Sequence, residues 1–292
     1  MPITKAIVPM AGWGTRLYPV SLVLPKGLMP FVLADGTLTT GLQLIAEALL
    51  SAGIEQIGLV VSPETKALYE RFLAGGDPLY TPARANRETM QSAYEQIRTL
   101  AQRITLITQP EPHGLGHAVW CARSFALGEA VLIALGDHLY RQADVVRILE
   151  VYEDFQVPLY ASVLTPVATA PYYGVLQGQP AQKPNLYRLC AIVEKPSRAY
   201  AQAHLRAPNL PEDSVLTHLG LFAFSPDLWE VQAEIATQYR SWGREWYLVD
   251  TQQRLMERMP AYLLLVERDS LDFGTPEAYR HAFCTLAGCF DA

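Results

Sequence analysis

The sequence predicts an α/β fold, a mixed and mostly parallel sheet with helices on both faces. Three observations carry this. Short β-branched apolar runs alternate with helix-period stretches through the first 154 residues, the order that builds a parallel sheet with crossover helices. After residue 156 the text turns strand-rich, with no Gly/Ser-rich or charged linker to set it apart. Half of the 292 residues are apolar and 18% are charged, the balance of a globular chain able to bury a large core.

The run Ala6-Ile7-Val8-Pro9-Met10 marks a strand over 4–9, and a helix is expected over 40–51. A strand over 56–62 precedes helices over 63–73 and 86–102. Gly75-Gly76-Asp77-Pro78 to Arg84-Ala85 reads as a surface loop between those helices. Strand 104–108, helix 115–124, strand 130–135 and helix 141–154 complete the first half. VPLYASVL, YYGVLQ, LYRLCAIVEK and THLGLFAFS then read as strands, making about 157–225 strand-rich, with breaks at GQPAQKPN and from Pro208 to Asp213. Helices return at 226–238, 246–258 and 275–286. Without a repeat or a linker, one domain over 1–292 is the economical expectation.

Lys and Arg number 23 against 29 Asp and Glu, a net charge of -6. A nucleic-acid partner needs a basic face to displace counterions, so none is expected. The opening MPITKAIVPMAG lacks the basic start and long apolar stretch of a signal peptide or a membrane span; a cytoplasmic protein without a membrane partner is expected. Cys121, Cys190, Cys284 and Cys289 form no CxxC pair and read as small buried apolar residues. The six histidines fit no Ser/His/Asp or HExxH pattern and read as polar surface or helix positions, so no nucleophile is expected.

The first strand runs into AGWGTRLYPVSLVLPKGLMPF, residues 11 to 31. A P-loop is excluded because no Gly-Lys-Ser/Thr triplet occurs in the chain. A dinucleotide-binding turn is excluded because Arg16 falls in the third small-residue region, and Pro19, Pro25 and Pro30 forbid a helix of useful length. What remains is a long, extended, non-helical loop around a polyphosphate. Gly12 and Gly14 let the backbone approach it, and Arg16 and Lys26 supply the countercharge.

AGWGTRLYP…LPKGLMP resembles the signature loop of the nucleotide-sugar pyrophosphorylases, roughly GxGTRxxP followed by PKxxxP. Further motifs follow in the family's order, so the resemblance covers nearly the whole chain. It implies a Rossmann-like nucleotidyltransferase fold and a nucleotide site at Ala11, Gly12, Gly14 and Thr15. In Gln109-Pro110-Glu111-Pro112-His113-Gly114-Leu115-Gly116-His117-Ala118, Gln109 and Gly114 would meet the base, since an amide beside a tight turn offers both donor and acceptor to a uracil or thymine edge. GLGHA is most like the bacterial UTP:glucose-1-phosphate uridylyltransferases.

Asp137 lies just past a buried strand, where open α/β sheets place ligands; with Asp272 of Leu271-Asp272-Phe273-Gly274 it would hold Mg²⁺. The other reading of Asp272 is a helix cap before Pro276. By the same resemblance Gly174, Glu194 and Gly220 would meet the sugar, and Lys195 its phosphate. Two positions depart from the pattern. Gly27 stands where uridylyltransferases commonly carry an acidic residue, and His138 where the family often has an acid or amide.

The implied activity is UTP plus glucose 1-phosphate giving UDP-glucose and pyrophosphate, with Arg16, Lys26 and Asp137 in catalytic roles. A thymidylyltransferase, another sugar-1-phosphate partner, or a non-catalytic nucleotide-sugar sensor of the same fold stay open, as does a homo-oligomer. A nicotinamide-dependent oxidoreductase is disfavoured by Arg16 and the prolines.

Overall fold

The computed structural model describes residues 2–75, 87–266 and 271–289; most of the expected loop from Gly75 to Ala85 lies outside them. The first half follows the predicted alternation. Strands β1 (Lys5–Pro9), β4 (Gln56–Val61), β5 (Ile104–Thr108) and β6 (Val131–Ala134) pair in parallel in the order β5-β4-β1-β6. Helices α1 (Gly41–Ser51), α2 (Pro63–Leu73), α3 (Arg87–Ala101), α4 (Leu115–Cys121), α5 (Arg123–Ala126) and α6 (Gln142–Phe155) connect them. The expected helix over 115–124 is thus two short helices. Thr40 caps α1 and Ser62 caps α2, each through a side-chain oxygen accepting an N–H of the first turn.

Side-chain alternation along these strands explains why helices cover both faces. Ala6 and Val8, Leu59 and Val61, and Leu132 and Ala134 pack toward one core with Ile45 of α1 and Ile148 of α6. Ile7, Val60, Val131 and Ile133 point to the opposite core with Val119 of α4. A strand that is apolar on successive residues must be covered twice.

The second half corrects the expectation of a mostly parallel sheet. The nine-stranded order continues β6-β11-β8-β12-β10-β9, with β8 (Leu159–Pro166), β9 (Gly174–Pro180), β10 (Leu186–Glu194), β11 (Ser214–Phe224) and β12 (Tyr262–Leu265). Only β12 and β8 are parallel there; β11 runs antiparallel to β6, β8 and β9, and β10 to β9 and β12. The short turn through GQPAQKPN permits nothing else for β9 and β10. Strand β12 went unread in the sequence.

β11 has β8 on one edge. On its other edge it pairs with β9 at Leu216 and Thr217, then with β6 from Leu221 to Phe224. The β9 pairing closes β11-β8-β12-β10-β9 into a ring. Between the two contacts the β8 register slips from His218 to Phe222, and Gly220 takes φ +82°. Such a bulge bends the strand, and a crevice opens where β6 and β9 part. The remaining helices are α7 (Arg198–His204), α8 (Asp227–Ala236), α9 (Leu248–Arg258) and α10 (Pro276–Leu286). Two small ribbons, β2 (Pro30–Val32) with β3 (Leu38–Thr40) and β7 (His138–Leu139) with β13 (Leu271–Asp272), lie outside the nine-stranded sheet.

The cysteine expectation is corrected as well. All four are free, and none is buried: Cys190 and Cys289 are exposed, Cys121 and Cys284 half-buried. Among the described residues no helix is long and apolar enough to cross a membrane.

Candidate active site

Where β1 ends, Met10 N–H still bonds to Val60 carbonyl at 2.7 Å, and the chain then leaves the sheet. The signature loop is not extended, as the prolines suggested. It folds as three single 3₁₀ turns, Thr15–Leu17, Val20–Leu22 and Lys26–Leu28, after Gly14 at φ +62°. Proline lacks the N–H that would prolong each turn, so the segment compacts without becoming a helix. Gly27 has a steric reason. A β-carbon there would lie 2.3 Å from Met10 Sδ and 2.8 Å from the hydroxyl of buried Tyr69, leaving no room for an acidic side chain.

Asp137, just past β6, is gripped from two sides. Lys26 Nζ lies 2.9 Å from its Oδ2 and His138 Nδ1 3.0 Å from its Oδ1. Burial alone would raise the Asp137 carboxyl, but Lys26 and His138 hold it well below the usual carboxylate range. Burial likewise disfavours a charged His138, and its bond to Asp137 with the charges of Asp137 and Asp272 lifts it above the ordinary histidine value.

The β7–β13 ribbon brings Asp272 to the same place. Asp272 pairs with His138, and Phe273 N–H donates to Asp137 carbonyl at 2.8 Å. A β-carbon on Gly274 would stand 3.1 Å from Asp272 Oδ1, 3.2 Å from Asp137 Oδ2 and 3.4 Å from Arg16 Nη2. Two carboxylate oxygens and a guanidinium therefore face one small volume that only glycine leaves open. Helix α10 is capped by Thr275, which accepts from Ala278 N–H at 3.2 Å, so Asp272 is not the cap.

At the other end, Gln109 Nε2 donates to Gly114 carbonyl at 3.0 Å and lies 3.1 Å from His117 Nδ1. Gly114 takes φ +100°, and its β-carbon would meet Trp246 carbonyl at 2.5 Å. Trp246 is fully buried; its carbonyl accepts from Gly116 N–H at 2.9 Å, and its N–H donates to His113 carbonyl at 2.8 Å. The segment before α9 thus braces the turn expected to meet the base.

Ala11, Gly12, Thr15, Arg16, Lys26, Gln109, Gly114 and Asp137 line one cleft of about 650 Å³. Gly14 sits behind it, its missing β-carbon 3.2 Å from Ser21 Cβ. Trp13, Leu135 and Glu245 also line the cleft and were not anticipated. Nothing local to Glu245 signals the role, since the Trp246 backbone bonds bring it there.

The residues expected to meet the sugar phosphate, Gly174, Glu194, Lys195 and Gly220, do not line that cleft. Gly174 and Glu194 are register partners in β9 and β10; a β-carbon on Gly174 would lie 2.9 Å from Glu194 Oε2 and 3.4 Å from His218 Cδ2. Lys195 turns out of β10 at φ +47°, its N–H bonded to Tyr173 carbonyl at 3.1 Å. A β-carbon on Gly220 would meet the His138 ring at 3.1 Å, which ties the bulge to the aspartate. Burial and the Asp272 charge raise the Tyr173 phenol against the opposing charge of Arg16, so Tyr173 feels the groups around Gly274. His138 and His218 are strand residues packed into this crevice, contrary to the surface-or-helix reading. Burial and His138 push the His218 imidazole down to about 3, and its buried Nδ1 has no partner.

The family model for Nucleotidyl transferase matches residues 5–288. The chain belongs to that family. Over 275 residues this nucleotidyl transferase is 28% identical to a UTP–glucose-1-phosphate uridylyltransferase of Bacillus subtilis (strain 168), covering 93% of the chain and 87% of the relative. It is 26% identical to the enzyme of that name from Staphylococcus haemolyticus (strain JCSC1435), covering 93% and 88%. Its fold is similar to that of a UDP-glucose pyrophosphorylase complexed with UDP-glucose (TM-score 0.75, 21% identity, 97% and 98% coverage). It is also similar to the UTP-bound UGPase from Acinetobacter baumannii (TM-score 0.76, 23% identity, 99% and 97% coverage). Both structural likenesses bear on the fold.

Proposed function

We propose that this nucleotidyl transferase joins UTP and glucose 1-phosphate, releasing pyrophosphate and leaving UDP-glucose. The observation that carries the reading is the convergence of sequence-distant motifs: the loop cations, Asp137 and the Gln109 amide line one cleft, and Asp272 meets Asp137 and Arg16 around Gly274. Near-full-length similarity to uridylyltransferases supports the choice of substrates.

In the reaction, an oxygen of the sugar phosphate forms a bond to the α-phosphorus of UTP. The bond from that phosphorus to the bridging oxygen breaks, and pyrophosphate leaves in line with the electron pair. The attacking oxygen is already anionic at neutral pH, so the site needs no general base. Arg16 and Lys26 offset the triphosphate charge, and Lys195 offsets repulsion between the two anions. Glu194, Gly174 and Gly220 receive the sugar, while Gln109 and Gly114 receive the base.

Asp137 and Asp272 suit Mg²⁺: they are hard oxygen donors, both facing the volume that Gly274 leaves free. When bound, the ion supplies charge neutralisation on the phosphates. Lys26 and His138 keep Asp137 ionised and oriented for that role.

The test offers UTP, dTTP, CTP, ATP and GTP, each with a panel of sugar 1-phosphates and Mg²⁺, and follows pyrophosphate release. Turnover with UTP and glucose 1-phosphate is expected. UDP-glucose binding without turnover of any pair would replace the enzyme by a nucleotide-sugar sensor.

A further inference from the structure

The amide of Gln109 is oriented unambiguously. Its contact with Gly114 is to a carbonyl oxygen, which can only accept, so the nitrogen end must face it. The same nitrogen lies 3.1 Å from His117 Nδ1, and an amide nitrogen can only donate. His117 Nδ1 is therefore the acceptor, and the ring proton sits on Nε2, 3.8 Å from Cys121 Sγ. Burial and the neighbouring His113 lower the affinity of His117 for a second proton, consistent with that neutral ring. Both amide hydrogens of Gln109 are engaged. Oε1 remains, without a protein partner among the described residues, on a side chain that lines the cleft.

We propose that His117 is a positioning residue for nucleobase choice: by holding Gln109 Nε2 it presents Oε1, a pure acceptor, to the base. This rests on the uridylyl reading of the site. An acceptor at that position matches the N3–H of uracil and opposes cytosine, whose N3 carries a lone pair. Thymine shares the N3–H, so the arrangement separates uracil from cytosine and not from thymine. Gly114 carbonyl and His117 restrain the amide from two sides, one anchored by Trp246 and the other by α4. Removing His117 leaves the Gly114 carbonyl as the one restraint, so the amide swings more freely and presents Oε1 less consistently.

The test measures kcat/KM for UTP and CTP in wild type, His117→Leu and His117→Asn, the last restoring an acceptor near the place of Nδ1. In His117→Leu the UTP-over-CTP ratio is expected to fall about tenfold, mostly through a higher KM for UTP with kcat changing less. His117→Asn is expected to recover most of the ratio. An unchanged ratio in a folded His117→Leu enzyme, or a wild type indifferent to UTP and CTP, overturns the proposal. ¹⁵N NMR of the wild-type imidazole gives a readout that does not depend on the variants folding: Nε2 protonated and Nδ1 bare is expected, and the reverse tautomer overturns it. A wild type that turns over no nucleotide defeats the uridylyl reading instead, an outcome distinct from an active enzyme whose selectivity ignores His117.

Discussion

On the side of the crevice proposed for the nucleotide, the site residues stand at the carboxyl ends of the parallel strands β1, β5 and β6: the loop after Pro9, Gln109 after Thr108, and Asp137 after Ala134. On the sugar side they lie within or at the end of antiparallel strands, at Gly174, Glu194 and the Gly220 bulge. Strand ends converge whenever parallel strands pack side by side, and they tolerate loop variation. Groups along a ladder meet only if the register holds, because a one-residue slip turns each side chain to the opposite face. On the proposed reading, the two substrates would be held by halves with different structural tolerances.

The sharpest way to break the contrast is at their junction. Asp137→Asn is expected to lower kcat by roughly 10²–10³-fold, since it weakens the charge arrangement that both substrates share. Steady-state kinetics with both substrates varied checks this, and a KM effect confined to one substrate would place Asp137 in that half alone. Next, Gly220→Ala forces a β-carbon onto a left-handed residue and against the His138 ring. It is expected to cost about 2 kcal/mol in a urea melt and to weaken glucose 1-phosphate binding more than UTP binding. Equal losses for both would mean that the bulge serves the whole crevice.

Lys195→Ala is expected to raise the KM for glucose 1-phosphate about tenfold with kcat nearly unchanged, as loss of one charge-assisted bond predicts. The last effect concerns pH and stability rather than turnover. Unfolded, the His218 imidazole takes up a proton near its ordinary 6.5; folded, it resists until about 3. Between these values the unfolded chain binds more protons, so stability falls as pH drops through that window. His218→Phe is expected to flatten this slope in urea melts at stepped pH, and an unchanged slope would assign it to other groups.

The same contrast sets what could be read from residues alone. The alternating strands and helices of the first half, and the glycines and cations at their ends, are local patterns, and they were legible. The antiparallel course of β11, the ring closed by β9 and the strand at Tyr262–Leu265 arise from pairings between distant segments, which periodicity does not encode. Within the site, Gly27 appeared as a departure from a family pattern, and its cause is the pairing of Met10 with Tyr69 in space. His138 was set aside, yet it buttresses Asp137 and touches the bulge at Gly220. The compact turns of the loop were missed because proline excludes long helices without excluding single turns.

The ribbon that joins His138–Leu139 to Leu271–Asp272 has a consequence for biosynthesis. Its second strand leaves the ribosome after every strand of the nine-stranded sheet, while the basic loop precedes all of them but β1. A growing chain can expose Arg16 and Lys26 long before Asp272 exists, so the two aspartates can meet only after every strand of the main sheet has been made.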